Sequence, residues 1–180
     1  MIWIGDVHGH YEHLQKLLKK LPKGAEIGFL GDIIDRGPKP FKCLKLAFDV
    51  SDNVLLGNHE ELMFLSLKSD SRGLKAAYIW DSNGGSHLID KINKKPKTIY
   101  TILDFLPRFK TYVETENSFA CHAGINFSLP KNCSKQKFIE IVDKHDKLVR
   151  DNIDRKIDNP TPCPNSPSRT GANHRLQAVG

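Results

Sequence analysis

The chain has 180 residues, and its 27 Lys and Arg against 21 Asp and Glu give a formal net charge of +6. This length suits one domain with a hydrophobic core, since domains run to roughly 100–200 residues. With 39% hydrophobic and 27% charged residues, the composition excludes a disordered chain. The positive charge favours an anionic partner such as a phosphate ester, and by itself it does not indicate nucleic acid.

The sequence predicts a cytoplasmic protein with no membrane partner. No apolar run approaches the roughly 20 residues that a membrane helix requires. The amino terminus becomes polar at Gly5-Asp6, before the apolar core of a signal peptide could form. The four cysteines, at positions 43, 121, 133 and 163, lack zinc-type spacing, and we expect reduced thiols that pack in the protein rather than react.

Three short apolar runs in the first third of the chain each end in glycine followed by a side chain that can bind a metal. They are Met1–Ile4 before Gly5-Asp6, Ile27–Leu30 before Gly31-Asp32, and Val54–Leu56 before Gly57-Asn58. Short apolar runs of this kind predict buried strands. Amphipathic segments with helical spacing, Tyr11–Leu21 and Pro38–Phe48, lie between them. The alternation predicts a layered α/β core.

The rest of the chain divides into a helical part, a hairpin and a tail. Residues 60–105 read as mostly helical, with a turn at Trp80–Gly85. Phe109–Val113 and Ser118–Cys121 predict two paired strands, and Ser134 is placed to begin a further helix. Residues 159–180 hold four of the ten prolines and no acidic residue. We therefore expect one domain over residues 1–158 and an irregular tail over 159–180.

The polar residues that follow the apolar runs have the chemistry of a metal site. Asp6 and His8 are two residues apart, so their side chains point the same way in extended backbone. Asp32 and Asn58 follow the next two strands, and ligands collect outside the carboxyl ends of parallel strands. Carboxylate, amide and imidazole ligands suit manganese, iron or zinc. A shared carboxylate can hold two such ions about 3.5–4 Å apart, as in phosphoryl transfer.

Each motif alone has an ordinary explanation, because a single Gly-Asp after a strand is usually a turn and a single His is usually structural. Their occurrence in series is what indicates function. In chain order they are Gly5-Asp6-Val7-His8-Gly9, Gly31-Asp32-Ile33-Ile34-Asp35-Arg36-Gly37, Gly57-Asn58-His59-Glu60 and His122-Ala123-Gly124.

With these four motifs the sequence resembles the calcineurin-like metallophosphoesterases over roughly residues 1–150. Within that superfamily it is similar to the serine/threonine protein phosphatase branch, near the phage lambda-type phosphatases and the symmetrical dinucleoside tetraphosphatases. The resemblance implies a β-sandwich flanked by helices, with a dinuclear metal site at the strand ends. Trp80 with Asn83-Gly84-Gly85 also resembles a turn of the phage-type members.

The resemblance also implies a role for each matching residue. Asp6 and His8 would bind the first ion, Asp32 would bridge both, and Asn58 and His122 would bind the second. His59, oriented by Asp35, would be the general acid, and Arg36 would hold phosphoryl oxygens. Arg150 stands where phage-type members have a second such arginine. The expected cofactors are two divalent ions, Mn²⁺ before iron or zinc, with a metal-bridging hydroxide attacking phosphorus in line.

Two positions depart from the family pattern. Protein phosphatases of the family often carry Arg before Gly-Asn-His, where this chain has Leu56, as some tetraphosphatases do. Members also have a late histidine, typically in a Gly-His-Thr context, followed by further strands. After Arg150 the only histidine is His174, within the Pro-rich tail. We therefore expect an incomplete C-terminal sheet with an exposed edge, and weak occupancy of the second metal position.

Three functions remain open at the level of sequence. The first is hydrolysis of phosphomonoesters, with phosphoproteins as one substrate class. The second is hydrolysis of dinucleoside polyphosphates or other nucleotides by the same chemistry. The third, of a different class, is a phosphoesterase fold that binds a ligand or partner without turnover. The missing late histidine favours the third, whereas Asp35, His59 and Arg36 argue for an intact catalytic site.

Overall fold

The computed structural model describes residues 1–68, 70–116 and 119–123, together with Lys144 and Lys147. The strands are β1 (Ile2–Ile4), β2 (Ile27–Phe29), β3 (Tyr112–Glu114) and β4 (Phe119–Cys121). The α-helices are α1 (Tyr11–Leu18), α2 (Pro40–Val50), α3 (Asn58–Ser66), α4 (Ser71–Trp80), α5 (Ser86–Lys94) and α6 (Thr98–Leu103). A π-helical turn, Asp81–Gly85, joins α4 to α5, and a 3-10 turn, Leu106–Arg108, follows α6.

The predicted parallel sheet is present. β1 pairs with β2 in parallel, with Ile2 opposite Ile27 and Ile4 opposite Phe29. The third predicted strand continues this sheet through parallel bridges from Phe29 to Val54 and from Leu55 to Lys110. Because all these segments run in the same direction, the residues that follow their carboxyl ends meet at one edge, as the sequence predicted.

The predicted hairpin is present too, in a shorter form. β3 and β4 pair antiparallel, with Val113 opposite Ala120. The first strand was expected from Phe109, but only Tyr112–Glu114 forms the ladder. Lys110 instead bridges to the parallel sheet, where its N–H donates to Val54 O at 2.9 Å. The two sheets are therefore connected through this segment.

The main core lies between the parallel sheet and the helices. It contains a group of aromatic rings that pack against helix α3. Phe109 packs edge to face against Phe48 of α2 at 5.0 Å and against Phe64 of α3 at 6.0 Å, measured between ring centroids. Such edge-to-face pairs add to the free energy gained from burying the rings. The core therefore fixes α3, whose first residues are Asn58 and His59.

The helical middle part is confirmed, as α3 to α6 occupy most of residues 58–103. Helix α1 ends at Leu18 rather than at Leu21, and Pro22 just beyond disfavours helical backbone at the preceding residue. Cys43 is fully buried, as its predicted packing role requires, and burial raises the pKa of its thiol to about 12. Within the described part of the chain, no helix is long and apolar enough to cross a membrane.

Several predictions concern residues outside those that the structure describes. They are the helix beginning at Ser134, the boundary at residue 158, the tail over 159–180, the incomplete C-terminal sheet, and the placement of Arg150 and His174.

Candidate metal centre

Asp6, His8 and Asp32 come together at the carboxyl ends of β1 and β2. His8 Nε2 lies 3.7 Å from Asp6 Oδ2 and 3.9 Å from Asp32 Oδ2. The two loops that carry them are joined by the backbone, because the N–H groups of Val7 and His8 both donate to Asp32 O at 3.0 and 2.9 Å. The spacing of Asp6 and His8 is therefore fixed relative to the second strand.

The His8 ring is oriented to offer a ligand atom to this space. Its Nδ1 lies 3.1 Å from Ile34 O, and because a carbonyl oxygen can only accept a hydrogen bond, Nδ1 carries the proton. In the neutral ring, Nε2 then carries the lone pair. His8 Nε2 is buried and has no hydrogen-bond partner among the described residues. An imidazole held through its other nitrogen, with the free nitrogen facing carboxylates, is the usual arrangement of a metal ligand.

His122 reaches the same edge from the end of β4. Its Nδ1 lies 2.6 Å from Leu30 O, which orients the ring from the backbone of the second strand. Its Nε2 lies 2.9 Å from Asn58 Oδ1 and 3.5 Å from Asp32 Oδ1. When the neutral ring donates its proton through Nδ1, the lone pair of Nε2 lies beside Asn58 Oδ1 and Asp32 Oδ1. These three atoms form a ligand set that fits a divalent cation.

Two groups of candidate ligands share Asp32. The first is His8, Asp32 and His59, and the second is Asp6, Asp32 and His122; within each group the ligand atoms lie within 4.8 Å of one another. Asp32 is nearly buried, whereas the Asp6 side chain is 56% exposed, so the space opens to solvent on the Asp6 side. This arrangement fits a pair of cations with one carboxylate between them.

His59 and Asp35 form a buried pair beside these ligands. His59 Nδ1 lies 2.7 Å from Asp35 Oδ2, and this hydrogen bond is the main reason that the pKa of His59 is raised above its ordinary value. Asp32 raises it further, while burial and Arg36 oppose the shift. Arg36 is exposed, and its NH2 lies 3.3 Å from His59 Nε2. His59 Nε2, the nitrogen that Asp35 does not contact, therefore lies next to the Arg36 guanidinium and faces the Asp32 carboxylate.

The backbone around these residues is strained. Among the residues that the structure describes, four other than glycine have positive φ, and all belong to the site motifs: His8 at 45°, Asp32 at 51°, Asp35 at 68° and Arg36 at 56°. A residue held in this region costs on the order of 1–3 kcal/mol, and such residues cluster at functional sites. The surrounding contacts must therefore hold these loops in place.

Glu60 supplies much of that restraint, and sequence reasoning gave it no role. Its side chain is fully buried. Four backbone N–H groups donate to its carboxylate, those of Asp32, Ile33, Ile34 and Gly57, at 2.8–3.0 Å. Burial, with Asp32 nearby, raises the pKa of Glu60 to about 7, against the lowering effect of these donors. The sequence signal was its place at the third position of α3, where Glu often accepts from the residue that precedes the helix.

Trp80 was also missed as a site residue. The sequence marks only the turn that follows it, but Trp80 is fully buried and its indole N–H donates to Asp35 Oδ2 at 2.6 Å. The remaining predicted residues that the structure describes all lie at this edge: Asp6, His8, Asp32, Asp35, Arg36, Asn58, His59 and His122. Their individual roles stay predictions.

A fold with helices around strands whose ends gather such ligands is that of the metal-dependent phosphoesterases. The calcineurin-like phosphoesterase family model matches residues 1–171, and the chain belongs to this family.

Two curated relatives carry the name symmetrical bis(5'-nucleosyl)-tetraphosphatase. The protein from Vibrio campbellii is 28% identical over 142 residues, covering 74% of this chain and 49% of the relative. The protein from Vibrio cholerae is 30% identical over 128 residues, covering 68% and 44%. A serine/threonine-protein phosphatase 1 from Salmonella typhimurium is 33% identical over 88 residues, covering 47% and 38%. The chain thus matches about half the length of these relatives or less.

The Glu60 contacts predict that Glu60→Gln unfolds more easily than the native chain. The amide offers one acceptor oxygen and turns N–H groups towards backbone donors, so we expect the free energy of unfolding to fall by about 3 kcal/mol. Urea denaturation in a chelating buffer measures this without a contribution from bound metal. Glu26→Gln is the matched control, because Glu26 is exposed. Equal stabilities of the two variants would contradict the role of Glu60.

Proposed function

We propose that this protein is a metal-dependent phosphoesterase that hydrolyses phosphomonoesters. The observation that carries the proposal is the His59–Asp35 pair, with Arg36, next to Asp32, the carboxylate shared by two groups of candidate ligands, one of which includes His59 itself. Family membership supports phosphoester chemistry, and one of the relatives is named a protein phosphatase. Phosphoserine and phosphothreonine side chains are therefore one candidate substrate class.

The proposed cofactors are two divalent ions, with Mn²⁺ ahead of iron and zinc. Asp6, His8 and Asp32 would hold one, and Asp32, Asn58 and His122 the other. Oxygen and imidazole donors without thiolates suit manganese. When bound, such ions activate a water molecule and neutralise charge on the phosphoryl group. The compartment proposed is the cytoplasm, in keeping with the free thiols of Cys43 and Cys121.

His59 is proposed as the general acid. An alkoxide is a poor leaving group unless it receives a proton, so a proton donor must lie next to it. The hydrogen bond that His59 Nδ1 donates to Asp35 orients the ring and raises the pKa of His59, which favours the protonated form that this task needs. Arg36 would hold phosphoryl oxygens through its planar guanidinium, which matches two oxygens at once. Arg150 is kept as a second candidate for that contact.

The second candidate function is hydrolysis of dinucleoside polyphosphates. Leu56 before Gly57 and the two relatives named as symmetrical tetraphosphatases favour it. The reacting groups would be the same, since both substrate classes present a phosphoryl group to the same ligands. A comparison of turnover on a phosphopeptide and on diadenosine tetraphosphate, both with added manganese, separates the two. We expect the kcat/KM values for these two substrates to differ by more than tenfold.

Hydrolysis of p-nitrophenyl phosphate with added manganese tests the proposed function against binding without turnover. We expect activity in the native chain, lost in Asp32→Asn because that variant changes the ligand shared by both groups. On phenyl phosphate, whose leaving group needs a proton, His59→Asn should lower kcat by about 10²–10⁴-fold, the usual contribution of a general acid. It should keep its metal content, measured by elemental analysis.

His13→Asn is the control for these variants, because His13 is exposed on α1. Metal loss in His59→Asn would assign His59 to the ligands instead, since its Nε2 lies 3.9 Å from Asp32 Oδ2. No activity in the native chain under these conditions would support the alternative hypothesis, that the protein binds a ligand or partner without turnover.

A further inference from the structure

Trp80 contacts the proposed catalytic pair from outside every site motif. Its indole N–H donates to Asp35 Oδ2 at 2.6 Å, and the same oxygen is 2.7 Å from His59 Nδ1. The Asp35 side chain has no solvent exposure, and its other oxygen has no hydrogen-bond partner among the described residues. Within the described structure, the hydrogen bond from Trp80 is therefore the one side-chain hydrogen bond, other than that to His59, that orients the Asp35 carboxylate.

The turn after Trp80 holds the indole in place and reaches Arg36. A Cβ atom on Gly85 would lie 2.6 Å from the indole Nε1, so the Gly85 backbone lies directly against the ring. Gly84, with φ of 102°, accepts a hydrogen bond from Arg36 N at 3.3 Å. A single short turn thus contacts both the ring that fixes Asp35 and the backbone of Arg36.

We propose that Trp80 is a positioning residue for proton transfer, acting through Asp35 on the His59 ring. Two donors on one carboxylate oxygen fix the plane of the carboxylate, and this plane fixes the direction of the imidazole. The inference rests on the proposed phosphoesterase function. A tryptophan that only filled the core would affect all substrates alike, whereas a positioning residue matters most when the leaving group needs a proton.

The test is Trp80→Phe, which removes the N–H and keeps a large aromatic side chain. We expect kcat for phenyl phosphate, whose leaving group needs a proton, to fall about tenfold or more. For 2,4-dinitrophenyl phosphate, whose leaving group departs as an anion, kcat should stay within about twofold. Trp3→Phe is the matched control, since Trp3 is the only other tryptophan and lies on β1.

Two further variants keep the test decisive. Gly85→Ala places a methyl against the indole and should show the same dependence on leaving group if Trp80→Phe proves too unstable to assay. Adding Trp80→Phe to Asp35→Asn should change that dependence little, because both act through one contact. Equal losses on both substrates overturn the Trp80 proposal alone. A native chain that turns over neither substrate overturns the proposed function and this inference with it.

A second inference concerns a basic groove between the start of α2 and helix α5. This groove, of about 470 Å³, is lined by Lys39, Phe41, Lys42, His87, Leu88 and Lys91, among others. It begins close to Arg36, because Pro38 in its wall is two residues further along the chain, at most about 7 Å away. The opposite wall follows Gly84, whose carbonyl accepts from Arg36 N.

The charges that line this groove favour an anion. Lys39 forms an ion pair with Glu12, and Lys42 lies close enough to help lower the pKa of the same carboxylate, but within the described structure neither Lys42 nor Lys91 forms an ion pair of its own. Lys91 Nζ lies 4.4 Å from the centre of the Phe41 ring, which holds this ammonium group over the groove. The nearby acids are Glu12 on α1, which interacts with both Lys39 and Lys42, and Asp90, which precedes Lys91 on α5.

We infer that this groove binds the phosphate chain of substrates that extend beyond the phosphoryl group at Arg36. This inference also rests on the proposed function. The shared chemistry is a run of phosphate groups, whether from an inorganic polyphosphate or from a nucleotide. Lys42 and Lys91, which form no ion pair of their own in the described structure, would attract the further phosphates of such a chain. A single phosphate bound at Arg36 would not reach them.

The test compares tripolyphosphate and orthophosphate as inhibitors of p-nitrophenyl phosphate hydrolysis, at constant free Mn²⁺. In Lys42→Ala/Lys91→Ala we expect the inhibition constant of tripolyphosphate to rise about three- to tenfold, as loss of two exposed charge contacts predicts. That of orthophosphate should not change. Lys16→Ala/Lys75→Ala is the control, because it removes the same charge from exposed helical positions outside the groove.

Equal shifts for both inhibitors, or an equal effect of the control, overturn the groove proposal while the proposed function stands. Adenosine tetraphosphate in place of tripolyphosphate separates the two sources of the chain. A larger shift with the nucleotide indicates that the apolar part of the groove contributes, and an equal shift indicates that phosphates alone are bound. No hydrolysis by the native chain overturns both the proposed function and the groove inference.

Discussion

The site depends first on the buried carboxylate of Glu60. It accepts from three successive backbone N–H groups of the loop after β2 and from Gly57 N at the start of α3. The same loop carries Asp32 with a positive φ, which ordinary side chains avoid. A network of hydrogen bonds to a charged group can hold such a conformation, and it sets Asp32 in a fixed relation to Asn58 and His59. Asp32 Oδ1 accepts from His59 N at 3.0 Å, which closes this connection from the other side.

The remaining geometry follows from three strand ends that share one edge. β1 delivers Asp6 and His8, β2 delivers Asp32, and the segment after Leu55 delivers Asn58. The aromatic core beneath α3 holds the helix against the sheet, so that His59 faces the ligands rather than solvent. Packing and polar contacts therefore act on the same short helix from opposite sides.

The part of the site that is encoded locally was predictable from sequence. Apolar runs ending in glycine mark strand ends, and the side chains that follow them had to meet because parallel strands share an edge. Glu60 and Trp80 were not predictable in the same way. Only the contact of Glu60 with Gly57 is local, whereas its other three donors lie 26–28 residues away and Asp35, the partner of Trp80, lies 45 residues away. A single sequence shows spacing along the chain and does not show which distant groups touch. The positive φ at Asp35 and Arg36 likewise had no signal, because neither is glycine.

His122 gives the centre a dependence on folding order. Every other described candidate ligand lies within the first 59 residues, but His122 stands at the end of the hairpin, 64 residues beyond Asn58. Its ring is oriented by Leu30 O, so it takes its position only when β4 has docked beside the parallel sheet. One ligand group can therefore assemble early from neighbouring segments, while the other must await a long-range closure. If that second group binds a metal ion, its affinity is coupled to the docking of the hairpin.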